Sequence, residues 1–212
     1  VYAKKSNDKK IRFDLETIAS WVEPGACVLD LGCGDGRLLE FLMTRKEVKG
    51  TGIEQREDLV ARCVEKGLPV IQGDINREIV DYPDNAFDYV IVSRTLQQVY
   101  DPPGLLREIL RIGKKAVVSF PNFSYWRIRL QLLFTGNAPV TPQLPYQWYD
   151  TPNIRVITLK DFRRFSGRLG FEIFREEAVQ ANGRSIGGRT VRFMPDLRAT
   201  YGIYLIGKDK SS

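Results

Sequence analysis

The sequence predicts a doubly wound α/β fold with about seven strands in a mostly parallel sheet and an antiparallel hairpin at one edge. Three observations carry this expectation. Short apolar runs alternate with amphipathic stretches along most of the chain, the pattern of strands buried on both faces with helices packed over them. The first run, CVLDL, passes through the glycine turn GCGDG directly into an amphipathic stretch. A length of 212 residues suits one full α/β domain, long enough to bury roughly 70% of the surface its unfolded chain would expose, so a single domain over 1–212 is expected.

Taken in order, Asp14 is placed to cap a first helix running to about Val22, with Phe13, Leu15, Ile18, Ala19 and Trp21 inward and the turn Glu23–Gly25 ending it. CVLDL (27–31) is the first strand. A helix from about Arg37 to Thr44 buries Leu38, Leu39, Phe41 and Leu42, and GTGIE (50–54) is the second strand. A helix from Asp58 to Lys66 leads to PVIQG (69–73), and FDYVIVS (87–93) is the fourth strand. The DPPG stretch at Asp101–Gly104 reads as a helix start, with aspartate as the cap and proline where it is tolerated; Leu105, Leu106, Ile109 and Leu110 form the core stripe. KAVVSF (115–120) is the fifth strand.

There the alternation breaks. SYWRIRLQLLFT (124–135) predicts an extra amphipathic helix, followed by the proline- and aromatic-rich loop GNAPVTPQLPYQWYDTPN (136–153), so an insert is expected at about 122–156. A loop that long within a compact domain has a functional or covering role. The pattern resumes with a helix in TLKDFRRFSGRLG (158–170), a strand FEIFREEAV (171–179), a glycine-rich excursion NGRSIGGR (182–189) and a closing strand YGIYLIG (201–207).

Composition removes several function classes. No apolar run approaches the ~20 residues of a membrane-spanning helix, and the lysine-rich start VYAKKSNDKK lacks the apolar core of a secretory signal; a cytoplasmic protein without a membrane partner is expected. The chain has no histidine, and Cys27, Cys33 and Cys63 form no CxxC pair. That argues against a metal site, disulfides and any Ser-His-Asp or Cys-His unit. Acid–base chemistry would fall to Asp, Glu, Tyr or Lys, and no catalytic residue is assigned. Residues 1–100 carry 14 basic and 17 acidic groups, residues 101–212 carry 18 and 9. The basic half would suit RNA or an acidic partner, but its arginines are dispersed as on a solvated face, so nucleic acid is not expected.

The glycine turn is the candidate site. A strand entering a helix through glycines aims backbone N–H groups and the positive helix end at the crevice beyond the strand ends. A dinucleotide fingerprint would need a third glycine at 37, where the chain has Arg37, and no phosphate-gripping lysine follows. Instead Asp30 precedes Gly32, Cys33, Gly34 and Gly36. A carboxylate there repels a diphosphate and suits a cationic amino-acid group, as in S-adenosylmethionine, whose carboxylate can use the helix start. Glu54, with Gln55, ends the second strand where ribose hydroxyls would be held; Asp74 and Ile75 follow the third, placed for an adenine amine and ring; Ser93 and Arg94 follow the fourth as the pocket floor.

Together VLDLGCGDG, GIE and QGDI are similar to the motifs of class I S-adenosylmethionine-dependent methyltransferases, a Rossmann-like fold, over about residues 25–120. Longer stretches go further: LDLGCGDGRLLEFL, GTGIE, SRTLQQV, SFPNFSYWRIRLQLL and LPYQWYDTPNIRVITLKDF resemble the MetW family of methionine biosynthesis proteins along almost the whole chain. That resemblance implies S-adenosylmethionine or S-adenosylhomocysteine as ligand and a role beside the homoserine O-acyltransferase MetX, supporting formation of O-acylhomoserine; it implies no methyl acceptor. After Pro152-Asn153-Ile154, where a histidine is expected from it, the chain has Arg155. The alternative is a working methyltransferase on a small molecule or, less readily, on RNA. An amine-directed enzyme would carry Asn or Asp, two prolines and an aromatic after the fourth strand, where this chain has SRTLQ. Tyr125, Trp126, Tyr146, Trp148 and Tyr149 are candidates for an acceptor pocket or for anchors in a protein interface.

Overall fold

The structure, a computed structural model, describes residues 11–181 and 187–208. Its strands are β1 (Cys27–Leu31), β2 (Lys49–Glu54), β3 (Val70–Gln72), β4 (Phe87–Ser93), β5 (Gly113–Pro121), β6 (Phe171–Ala181), β7 (Gly188–Thr190) and β8 (Tyr201–Lys208). They form one sheet in the order β3-β2-β1-β4-β5-β8-β6-β7. β1 to β5 run parallel, with Asp30 of β1 beside Gly52 of β2 and Ile91 of β4. The chain direction reverses at β8, which pairs antiparallel with β5 on one side and β6 on the other.

The predicted class holds, with one strand more than the seven expected. β7 is three exposed residues long, too short to leave a periodic signal, and it takes the sheet edge by pairing Val179 with Thr190. The β6–β8 antiparallel pair therefore lies inside that edge. β8 is buried almost throughout, as an interior strand must be, whereas charge-rich β6 has exposed residues at its centre. Within the predicted excursion 182–189, residues 182–186 lie outside the described residues.

Helices α1 (Phe13–Trp21), α2 (Arg37–Lys46), α3 (Glu57–Glu65), α4 (Ile75–Glu78), α5 (Pro102–Ile112), α6 (Trp126–Thr135), α7 (Leu159–Leu169) and α8 (Pro195–Arg198) complete the fold. The single turns α4 and α8, and a 3-10 turn at Leu96–Gln98, were not expected from periodicity. Alternate strand residues feed two cores. Leu29, Leu31, Val90, Val92 and Val118 join Leu105, Leu106 and Ile109 of α5 and Phe162 of α7, while Val28, Tyr89, Ile91 and Val117 join Ile18 and Trp21 of α1 and Leu38 and Leu42 of α2. Asp101 caps α5 as expected, accepting the Gly104 N–H at 3.0 Å. Asp14 does not cap α1. The cap position is Arg12, and Asp14 sits inside the first turn, buried, with Arg12 donating to both its oxygens at 3.2 Å. An acid in a first helical turn is favoured by the helix dipole whether or not it caps, and here the ion pairs hold it inward.

The expected insert contains α6 and the loop that follows. Asn122 fixes its start: the buried amide donates to the carbonyls of Asp196 and Ala199 at 2.9 and 3.0 Å and accepts from the Ser124 N–H and hydroxyl. Tyr125, Ile128 and Leu144 make a small core of their own beneath it. Arg155 ties the far end of the loop to the turn after β4, its backbone N–H donating to the Gln97 carbonyl at 3.0 Å and its guanidinium to those of Val99 and Tyr100. Among the described residues no helix is long and apolar enough to cross a membrane.

Candidate ligand site at the glycine turn

The C-terminal end of β1 and the start of α2 line a cavity of about 330 Å³. Of the residues singled out in the sequence, Asp30, Gly32, Cys33, Gly34, Ser93 and Arg94 lie in its wall. Gly36 closes the turn as the residue before α2, with φ +71°. Glu54, Gln55, Asp74 and Ile75 lie outside that lining. The Glu54 carboxylate accepts the Gly34 N–H at 2.9 Å and the Arg56 N–H at 3.0 Å, so it shapes the turn from below. Asp74 caps α4 by accepting from Asn76, Ile75 packs half-buried against the larger core, and Gln55 is exposed.

Seven residues that the sequence reading did not assign to the site complete the wall: Arg12 and Leu15 at the start of α1, Asp35, Arg37 and Leu38 from the turn and α2, and Leu59 and Arg62 from α3. Asp35 and Arg37 pair at 2.7 Å. Both sit within or next to the motif, so its continuation carried a signal; Arg12 and Arg62 reach the cavity only through the packing of their helices.

The electrostatics of the wall are specific. Asp30 is buried, and one carboxylate oxygen, Oδ1, has no hydrogen-bond partner. Burial first, then the charge of Glu54, pushes its pKa up to about 7. Across the cavity Arg94 sits in the left-handed region at φ +59°, its backbone N–H on the Ser119 carbonyl and its guanidinium 4.0 Å above the Tyr201 ring. Arg94 Nη2 lies 2.9 Å from Asp14 Oδ2, an ion pair by distance without hydrogen-bond alignment, and neither Nη2 nor Nε has an aligned acceptor. Burial lowers the Arg94 pKa. The cavity thus offers an unmatched buried acceptor on Asp30 and, opposite it, a guanidinium that Asp14 neutralises but whose Nε has no acceptor, a setting that suits a ligand ammonium at Asp30. Burial, with Asp30 next, pushes the Cys33 thiol well up, so it is an uncharged packing group.

The turn's glycines differ in what they tolerate. A Cβ on Gly32 (φ +71°) would stand 2.5 Å from Thr95 Oγ1, a hydroxyl committed to the carbonyls of Leu31 and Ser93, whereas a Cβ on Gly34 (φ +59°) meets nothing within 4 Å. Gly32→Ala is expected to cost about 2–3 kcal/mol from left-handed strain plus the clash, and Gly34→Ala about 1 kcal/mol from strain alone. Urea unfolding of the two variants checks the difference; equal midpoints would refute it.

The sequence profile of the family described as methionine biosynthesis protein MetW matches residues 12–206. The chain belongs to the MetW family. A relative from Rhodopirellula baltica, named bifunctional methionine biosynthesis protein MetXA/MetW, is 35% identical over 179 residues, which are 80% of this chain and 29% of that one. This chain therefore spans less than a third of that relative's length. Among solved structures, an S-adenosylmethionine-dependent methyltransferase from Archaeoglobus fulgidus superposes with a TM-score of 0.67 at 18% identity, covering 92% of this chain and 91% of that one. The cyclase SpnF does so with a TM-score of 0.64, also at 18% identity, covering 96% and 85%. Since proteins named for different reactions share this architecture, the fold assigns no reaction to this chain; its site residues must do so.

Proposed function

We propose that this chain is a cytoplasmic, S-adenosylmethionine-binding accessory protein that complexes with a MetX-type homoserine O-acyltransferase and supports the making of O-acylhomoserine. The observation that carries the proposal is the Rhodopirellula baltica relative, whose name joins MetXA and MetW in one polypeptide. We read residues 1–212 as one domain of that kind, with its insert at about 122–156. The unmatched Oδ1 of Asp30 and the unmatched Nε of Arg94 support an amino-acid-bearing ligand. Asp30 would hold its ammonium, and the N–H groups of the first turn of α2, with Arg94 beside them, would hold its carboxylate. Such a cofactor, when bound, carries an electrophilic methyl group on a sulfonium. In this reading its use is to report the level of an end product to the acyltransferase.

The placement of the aromatics supports an accessory role over methyl transfer. Tyr125 is buried in the insert's own core, and Trp126, Tyr146, Trp148 and Tyr149 are exposed on the insert, whereas the cavity wall is built of Arg, Asp, Leu, Gly, Cys and Ser. The test is the acyltransferase rate of the partner with and without this chain, repeated with S-adenosylmethionine present. Co-elution and a several-fold rise in rate that responds to the added compound are expected. An unchanged rate with no change in mass would refute the partnership.

A further inference from the structure

We infer that the exposed apolar face of α6, together with the Trp148–Tyr149 tip of the following loop, is the surface on which the acyltransferase docks; this rests on the partnership proposed above. Helix α6 holds Trp126, Ile128, Leu130, Leu132, Leu133 and Phe134 in ten residues, yet only Ile128 is buried. Trp126, Leu130, Leu133 and Phe134 recur at the spacing of one helical face. All four are exposed, Leu133 at 73% and Phe134 at 77%. Trp148 and Tyr149, 76% and 71% exposed, brace each other edge to face with ring centroids 5.7 Å apart.

The chemistry of the insert matches an interface core. From 122 to 149 its only charged residues are Arg127 and Arg129, in a chain that is 27% charged overall. Aromatic and arginine enrichment with Asp, Glu and Lys missing is the composition of buried interface centres and a poor one for a surface left in water. The face is also held ready to bind. Asn122 and the Tyr125–Ile128–Leu144 core fix α6 before any partner arrives, which lowers the ordering cost of association.

Charge and covalent linkage select the occupant. Of the four charged residues of the insert, Arg127, Arg129 and Arg155 are basic and Asp150 is acidic, and residues 101–212 carry twice as many basic as acidic groups, so the complementary surface is an apolar groove rimmed by carboxylates that takes a helix face. In the fused relative the two parts are tethered, and tethering supplies effective concentration without any tight contact. Large aromatic and aliphatic side chains are the usual anchors of such a pairing, and α6 and Trp148 supply them.

The test uses the full chain and the homoserine O-acyltransferase of the same organism as separate proteins. The double variant Leu133→Asp with Phe134→Asp, and separately Trp148→Asp, are expected to weaken the complex at least about 100-fold. Thermal midpoint and S-adenosylhomocysteine binding should stay as in the parent. Val64→Asp and Val80→Asp, exposed apolar sites on α3 and after α4, should bind the acyltransferase normally. If the parent chain itself fails to bind, the partnership falls. If the parent and the α6 and Trp148 variants bind alike, the partnership stands and this surface assignment falls. The assignment also falls if those variants keep the acyltransferase but lose self-association in light scattering, or lose flotation with phosphatidylglycerol vesicles.

Discussion

Replacing Asp30 with asparagine is expected to weaken binding of S-adenosylmethionine severely and, at pH 8, to make the ligand-free protein more stable than the parent. Both effects follow from one buried carboxylate with an unmatched oxygen. Losing the acid that would face a buried ammonium costs about 2–5 kcal/mol of affinity, roughly thirtyfold or more. The stability effect has the opposite sign. The carboxyl ionises near 3.8 when unfolded and near 7 in the fold, so across that interval the unfolded chain binds fewer protons and the parent loses stability as pH rises. Above pH 7 the penalty is complete, with a ceiling on the order of 4 kcal/mol. Asparagine removes it, so the gain in thermal midpoint should be present at pH 8 and small near pH 4. Ligand affinity of the parent should fall as pH drops from 8 to 6, while the residual affinity of the variant stays flat. Calorimetry at the three pH values checks each part; a variant that binds like the parent would remove Asp30 from the site.

Asp14→Ala is expected to destabilise the chain by about 3–5 kcal/mol, the usual cost of removing one partner from a buried ion cluster. Asp14 is 1% exposed and faces both Arg12 and Arg94. Without it the Arg94 guanidinium stays desolvated against the Tyr201 ring with no counter-charge. Adding Arg94→Leu should return part of the loss, because the uncompensated charge goes with it, and urea unfolding of the double-mutant cycle measures that coupling. Additive losses would show that Asp14 acts through Arg12 and the helix start instead. Ligand affinity should fall as well, since Arg12 and Leu15 of α1 form one side of the cavity.

What could be read from the sequence was whatever is decided within a few neighbouring residues. β1 and β4 begin and end where their apolar runs do, and Asp101 caps α5, because burial on both faces and an N-terminal cap each write a local pattern. Asp14 misleads for the same reason. An aspartate at a helix start ordinarily caps, and its inward position depends on Arg94, 80 residues away in sequence. Glu54 was placed at the right strand end, yet its bonds to Gly34 and Arg56 depend on how β1 and β2 sit side by side. Arg62 enters the wall through the packing of α3 over the turn, which no spacing encodes. β7, at three residues, and α8, at four, are too short to repeat the period that would announce them.

The near absence of charge between 122 and 149 has a bearing on solution conditions. Added salt screens the ionic contacts of Asp30, Arg94 and the other charged groups around the cavity, where they reach solvent. On α6 it screens only Arg127 and Arg129, at the rim of a face whose anchors are apolar, and salts such as sulfate strengthen apolar association. Ionic strength should therefore pull the two surfaces of this molecule in opposite directions, loosening its hold on a charged small molecule while leaving or tightening its hold on a protein.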